Sequence, residues 1–109
     1  MPNTPIHSID RDGQRIVLVP LNNTDRPVKM LPADFEKIEE DGYVGHMYLN
    51  GNWVCTHTHP DSNNYPVGRI ITDAKPGQKV FNKARDPFNL RRDNLRVITI
   101  RKSSSASRS

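Results

Sequence analysis

Cysteine, apolar residues and long hydrophobic runs are all scarce in this chain of 109 residues. The single cysteine, Cys55, cannot build an internal disulfide framework and fits a reducing cytoplasm. No run approaches the roughly 18 consecutive apolar residues of a membrane span, and the first residues lack the basic segment and apolar stretch of a secretory signal. With only 34% apolar residues, we expect one modest core in a single small domain.

Positive charge is concentrated in the last third of the chain. Residues 1–74 carry six Lys/Arg and ten Asp/Glu, whereas residues 75–109 carry ten Lys/Arg and two Asp/Glu. A basic segment on a mildly acidic body favours a polyanion or an acidic protein surface as partner, although a solvated face has the same composition.

Local patterns predict an α+β fold with short antiparallel strands and one helix. The helix is expected over residues 32–41, because Pro32 suits a first helical position and Gly42 suits the residue just after the end. Asn50-Gly51, between two apolar stretches, predicts a hairpin. Strands are expected at 15–21, 28–30, 43–49, 53–55, 67–71, 79–82 and 95–100, with one helical turn within 89–94. We expect a flexible leader at 1–13, one domain over 14–102 and a disordered Ser-rich tail at 103–109.

The string Pro76–Thr99 resembles the HNH endonucleases of the phage and intron homing type. That family typically reads P-G-x-x-V-D-H-x-N-G-D-P-L-D-N-R-x-E-N-L-R-V-x-T. The matches in register are Pro76-Gly77, Val80, Asp86-Pro87, the block 91–97 and Thr99. Upstream, residues 67–71 resemble the family's L-H-R-L-I segment, so the resemblance covers about residues 15–102. It implies a ββα-metal element, truncated here at the C-terminus.

This chain departs from the family at each position that carries the chemistry. Phe81 stands where the family has a metal-binding Asp, and Asn82 stands where it has the general-base His. Gly68 takes the place of the first His, and the second metal ligand falls near Ser103. Phenylalanine offers no oxygen donor to a hard cation, and an asparagine amide does not accept a proton near neutral pH. The resemblance therefore implies a scaffold without catalysis, in which Asn94 braces the loop by hydrogen bonds.

The basic segment supplies the candidate binding residues. The resemblance places these cations on the face that meets DNA: Lys79, Lys83, Arg85, Arg91, Arg92, Arg96, Arg101 and Lys102. Two aromatic residues, Phe81 and Phe88, interleave with them. Phe81 either fills the emptied metal site as core or anchors a partner at an interface.

A second candidate site lies on the segment Cys55–Asp61. On an extended strand Cys55, His57 and His59 project to one face, and a thiolate with two imidazoles is a reasonable zinc set. Asp61 or His46 would supply a fourth ligand. The alternatives are that these side chains face solvent, or that they form a Cys–His nucleophile pair.

These patterns favour a non-catalytic module that binds nucleic acid through a basic face. One alternative is a phage-encoded adaptor or inhibitor that binds a host defence or nucleic-acid-processing protein. Another is an active metal-dependent nuclease with displaced ligands at His57, His59 or Asp61. No cofactor, small-molecule substrate or membrane is expected, and the expected location is the cytoplasm.

Overall fold

The chain adopts the expected α+β fold, with short strands in antiparallel sheets and one main helix. A computed structural model describes residues 4–60 and 63–100. Within these ranges the strands are β1 (Ile6–Ile9), β2 (Arg15–Leu21), β3 (Thr24–Met30), β4 (Met47–Asn50), β5 (Trp53–Thr56), β6 (Tyr65–Pro66), β7 (Gln78–Asn82) and β8 (Leu95–Thr99). The helices are α1 (Pro32–Glu40) and α2 (Val67–Thr72), and a 3-10 turn spans Arg92–Asn94.

The first sheet has the order β1-β2-β3 and includes a strand that the sequence did not predict. β1 pairs antiparallel with β2, with Ile6 opposite Leu18 and Ile9 opposite Arg15. The prediction of a flexible leader over residues 1–13 is therefore wrong for Ile6–Ile9. Ile6 and Ile9 remain mostly exposed, so backbone pairing rather than an apolar face holds β1 in the sheet. The sequence therefore has no apolar pattern that predicts this strand.

Helix α1 begins and ends where its signals predict. Pro32 is its first residue, where a missing N–H costs nothing. Beyond its end, the Gly42 N–H donates to Glu39 O at 3.0 Å and the Tyr43 N–H donates to Ile38 O at 3.1 Å. These two bonds satisfy carbonyls of the last turn and form a Schellman ending.

A tight turn joins β4 to β5, as Asn50-Gly51 predicts, but its centre lies one residue further along. Asn50 and Trp53 pair across the strands, so the two loop residues are Gly51 and Asn52. Gly51 has a φ of 62°, which a type II′ turn requires at its first central position. Residues 43–46 form turns rather than the expected start of a strand.

The segment Val67–Thr72 is helix α2, so the strand expected over residues 67–71 is wrong. A short run rich in Val and Ile does not separate a strand from a buried helix by periodicity alone. Burial decides here, because the buried residues follow helical spacing: Val67, Gly68, Ile70 and Ile71.

One core joins the sheets and helices. Its fully buried side chains are Val17, Val19, Val28, Met30, Ile38, Met47, Val54, Val67, Ile71 and Leu90. The loop after β7 contributes Leu90 because it docks on β3, where the Lys29 N–H donates to Phe88 O and the Leu90 N–H donates to Lys29 O, both at 2.8 Å. Across the described ranges no helix has the length and apolar character needed to cross a membrane.

Candidate nucleic-acid interface

The β7–β8 hairpin presents one face to the core and one face outward. Val80 packs against the core cluster and pairs with Val97. Because side chains alternate along a strand, Phe81 and its partner Arg96 lie on the other face, together with Lys79. Phe81 is 46% exposed, so it does not fill the core, and its suggested role as a partner anchor stays a prediction.

Two asparagines brace the long loop between β7 and β8. Asn94 Nδ2 donates to Asn82 Oδ1 at 2.7 Å, and Asn94 Oδ1 accepts from the Ala84 N–H at 2.9 Å. Asn82 Oδ1 also accepts from the Asp86 N–H at 3.1 Å, and its amide nitrogen donates to Asp86 O. Asn94 thus has the hydrogen bonds that the resemblance implies. Asn82 stabilises the same loop through its bonds to Asn94 and Asp86.

The indole of Trp53 lies over Gly68. A Cβ built at Gly68 would lie 3.2 Å from Trp53 Cζ3 and 3.7 Å from Val80 Cγ1. Even an alanine there would force the ring to shift, and a histidine needs far more room. The position at which the resemblance places the first His is therefore closed by an aromatic side chain in this chain.

The loop and the outward face carry exposed cations. Lys79, Lys83, Arg85 and Arg96 are all exposed, and none of them forms an ion pair with a carboxylate among residues 4–60 and 63–100. Arg85 adopts a φ of 56°, a left-handed conformation that costs a side-chain-bearing residue about 1–2 kcal/mol. The family pattern has glycine at this position, so this chain places a cation where the backbone favours a residue without a side chain.

Arg91 does not lie on this exposed face, which corrects the expectation that it contacts phosphate. Its side chain is only 10% exposed and is enclosed by Asp10, Asp12 and Asp93. The guanidinium donates five hydrogen bonds of 2.7 to 3.1 Å to these carboxylates. Since a guanidinium has five N–H donors, no donor remains for a phosphate oxygen. Arg91 instead ties the β1–β2 turn to the loop before β8.

Lys29 completes this ion-pair cluster, which we define as Asp10, Asp12, Lys29, Arg91 and Asp93. Lys29 Nζ lies 2.9 Å from Asp10 Oδ2. Hydrogen bonds from Lys29 and Arg91 hold the pKa of Asp10 far below its usual value, and the bond from Arg91 lowers the pKa of Asp12. The same carboxylates raise the pKa of Arg91, so Asp10, Asp12 and Arg91 stay charged at neutral pH.

Arg92 has a structural role as well. Its Nε donates to Asp34 Oδ1 at 2.8 Å, and its Nη2 donates to Ile71 O at 2.8 Å. Asp34 is 3% exposed, so Arg92 compensates a buried carboxylate at the start of α1 while holding the end of α2. The expectation that Arg92 faces nucleic acid is corrected in part: its side chain is 55% exposed, but the guanidinium is anchored to the protein.

Phe88 is a packing residue rather than a free aromatic surface. It is half-buried against the core cluster. The guanidinium carbon of Arg26 lies 4.0 Å from the centre of its ring, which is a cation–π distance. The remaining candidates, Arg101 and Lys102, lie outside the described residues.

The structure does not assemble the proposed zinc set. Cys55 is buried, and burial raises the pKa of its thiol, whereas His57 is exposed. Among the described residues, no group of three or more His, Cys, Asp or Glu side chains has a geometry that could hold a metal ion. Asp61, offered as a fourth ligand, lies outside those residues.

The histidines of this segment take part in ring contacts instead. The rings of His46 and His57 form a T-shaped contact, with centroids 5.7 Å apart. His59 stacks on Tyr65 with centroids 3.6 Å apart and planes within 4°. Tyr65 belongs to the second sheet, whose order is β4-β5-β6.

Two neighbouring grooves share Trp53 and Phe81 in their walls, and we call them together the Trp53–Phe81 groove. The first, of about 360 Å³, is also lined by Pro66, Arg69, Lys79 and Val80. The second, of about 460 Å³, is also lined by Asn52, Asn82 and Arg85. A larger cavity of about 880 Å³ on the first sheet has Asp25 as its one charged lining residue within the described chain, so it does not suit a polyanion.

Sequence reasoning missed Trp53 as part of this surface. Trp53 packs against the core cluster and pairs with Asn50 across the β4–β5 hairpin, and its place beside β7 depends on a contact between distant segments. Comparisons with protein-family models, curated proteins and solved structures found no match.

Proposed function

We propose that this protein is a non-catalytic nucleic-acid-binding module that uses the outward face of the β7–β8 hairpin. The observation that carries the proposal is a group of exposed cations that no described carboxylate neutralises: Lys79, Lys83, Arg85 and Arg96. Clustered cations bind a phosphate backbone by displacing its counterions. Contacts of this kind position a protein without reading sequence, so the proposal implies no specific recognition site.

Two features support the absence of nuclease chemistry. Phe81 and Asn82 occupy the positions that the resemblance assigns to a metal ligand and a general base, and neither side chain can do that work. The amide of Asn82 is also committed to the loop through its bonds to Asn94 and Asp86. The single cysteine, Cys55, is buried, which is compatible with a reducing cytoplasm, the compartment that we propose.

A second candidate function is an adaptor that binds another protein. The exposed ring of Phe81 favours it, because large aromatic residues are enriched in the cores of protein interfaces. Binding anchored on this ring would depend weakly on salt, whereas phosphate binding weakens steeply. Salt dependence therefore separates the two functions.

The test is a titration of labelled nucleic acid with purified protein. Binding is measured by fluorescence anisotropy at salt concentrations from about 50 to 200 mM. Four phosphate contacts predict a slope of log K against log salt of about −3.6 for duplex DNA and about −2.8 for a single strand. The double variant Lys83→Gln/Arg85→Gln removes two of the four contacts, so the slope should become shallower by about 1.4 to 1.8.

A matched control removes two charges elsewhere. Arg11 and Arg15 are exposed near the β1–β2 turn and line neither part of the Trp53–Phe81 groove. Arg11→Gln/Arg15→Gln should leave the slope close to that of the wild type. Equal slopes for the two double variants, or the absence of salt-dependent binding, would overturn the proposal. Cleavage of the nucleic acid by the wild type would refute its non-catalytic part.

A further inference from the structure

We propose that the Trp53–Phe81 groove receives unpaired bases, so that the preferred ligand is single-stranded nucleic acid. This inference rests on the proposed function and specifies its ligand. Two aromatic rings border the groove, and cations stand along its length. Aromatic stacking combined with a cationic track is the arrangement by which proteins hold single strands without sequence preference.

The rings are placed for stacking and not for contact with each other. Phe81 is 46% exposed, and Trp53 is partly exposed, with its ring over Gly68. The described ring contacts do not include a pair between Trp53 and Phe81. Their faces are therefore not consumed by mutual packing, and each half of the groove, at about 360 and 460 Å³, has the volume of a small-molecule site.

Cations border both halves of the groove. Lys79 and Arg69 line the first half, and Arg85 lines the second. Arg69 donates to Gln78 O at 2.7 Å and to Lys75 O at 3.0 Å, which fixes its charge at the groove wall. A strand that places bases against the rings thus brings its phosphates past three positive charges.

A duplex fits this surface less well than a single strand. A β-ribbon can enter a major groove, but here the β4–β5 turn, with Asn52 and Trp53, stands beside β7 as the opposite wall. The hairpin face is therefore one side of a groove and not a projecting ribbon. Bases within a duplex also stack on each other, so their faces cannot reach Trp53 or Phe81 until they are unpaired.

The experiment compares a labelled oligothymidylate of about 12 nucleotides with a duplex of the same length, at fixed salt. An oligouridylate of the same length tests whether the sugar matters. Stacking is lost in Phe81→Ala, which should weaken single-strand binding by about 5- to 150-fold and leave duplex binding within about twofold. Val97→Ala is the control, because Val97 is also exposed but lies on the other face of the hairpin.

Trp53 supplies an independent signal, since it is the one tryptophan in the chain. Its fluorescence should be quenched when the single strand binds and should change little with the duplex. Equal affinity for both forms, with Phe81→Ala and Trp53 emission unaffected, would overturn the single-strand inference while leaving the proposed function in place. Failure to bind either form would refute both.

Discussion

Replacing Arg91 by glutamine should destabilise the fold without weakening nucleic-acid binding directly. The substitution keeps much of the side-chain length but removes the charge and all five hydrogen bonds to carboxylates. It also unties the β1–β2 turn from the loop before β8. The prediction separates a structural arginine from a phosphate-binding one.

The magnitude follows from the exposure of the partners. Breaking a fully buried ion pair costs about 3–5 kcal/mol. Asp12 and Asp93 are 58% and 66% exposed, so they regain water when Arg91 is lost. Asp10 is 12% exposed but keeps Lys29 at 2.9 Å. We therefore expect a loss of about 2 kcal/mol, below the fully buried value, and a fall in Tm of about 8–16 °C for a domain of this size.

The assay is thermal and urea unfolding followed by circular dichroism and by Trp53 fluorescence. Arg85→Gln is the matched control, because Arg85 is exposed and unpaired among the described residues, and its unfolding free energy should change by less than about 0.5 kcal/mol. If Arg91→Gln were as stable as the wild type and bound nucleic acid poorly, the structural role assigned to Arg91 would be refuted.

Four further changes test other parts of the account. Because the pKa of Asp10 is lowered in the folded state, its ionised carboxylate stabilises the fold above the unfolded-state pKa of about 3.9, and this stabilisation is lost as the pH falls through the folded-state pKa. The urea concentration at the unfolding midpoint should therefore decrease when the pH is lowered below about 4, and it should decrease less steeply in Asp10→Asn. Asn94→Ala should cost about 2–3 kcal/mol, because a buried amide with bonds to the loop is lost; unchanged hydrogen exchange in the loop would argue against this bracing. Gly68→Ala should shift the emission of Trp53, since the new Cβ would lie 3.2 Å from the indole; an unaltered spectrum would contradict that contact. Arg85→Gly should raise the free energy of unfolding by about 0.5–1 kcal/mol, because the relief of the positive φ exceeds the cost of the entropy that glycine adds to the unfolded chain. The same change should weaken nucleic-acid binding, and a reduced free energy of unfolding would count against strain at this position.

Elements with local signals could be predicted from the sequence. Helix α1 has a proline at its start and a glycine after its end, and the β4–β5 hairpin has Asn50-Gly51. These signals act within a few residues, so they depend little on contacts with distant segments. The type of α2 could not be read in this way, because its Val/Ile run suits a strand and a buried helix equally.

The candidate site depended on contacts between distant segments. Arg91 looks like a surface cation in its own stretch, but its partners Asp10 and Asp12 lie 81 and 79 residues away. Trp53 likewise joins the site only because its hairpin lies beside β7. Charge content predicted a basic face, whereas the choice of which cations are exposed on it required the fold.

The most direct test of the central claim compares the salt dependence of nucleic-acid binding in wild type, Lys83→Gln/Arg85→Gln and Arg91→Gln. All three are measured well below their unfolding temperatures. The account predicts a shallower slope for the hairpin variant and a wild-type slope for Arg91→Gln. A wild-type slope for the hairpin variant, with a shallower slope for Arg91→Gln, would contradict the assignment of the binding face to the β7–β8 hairpin.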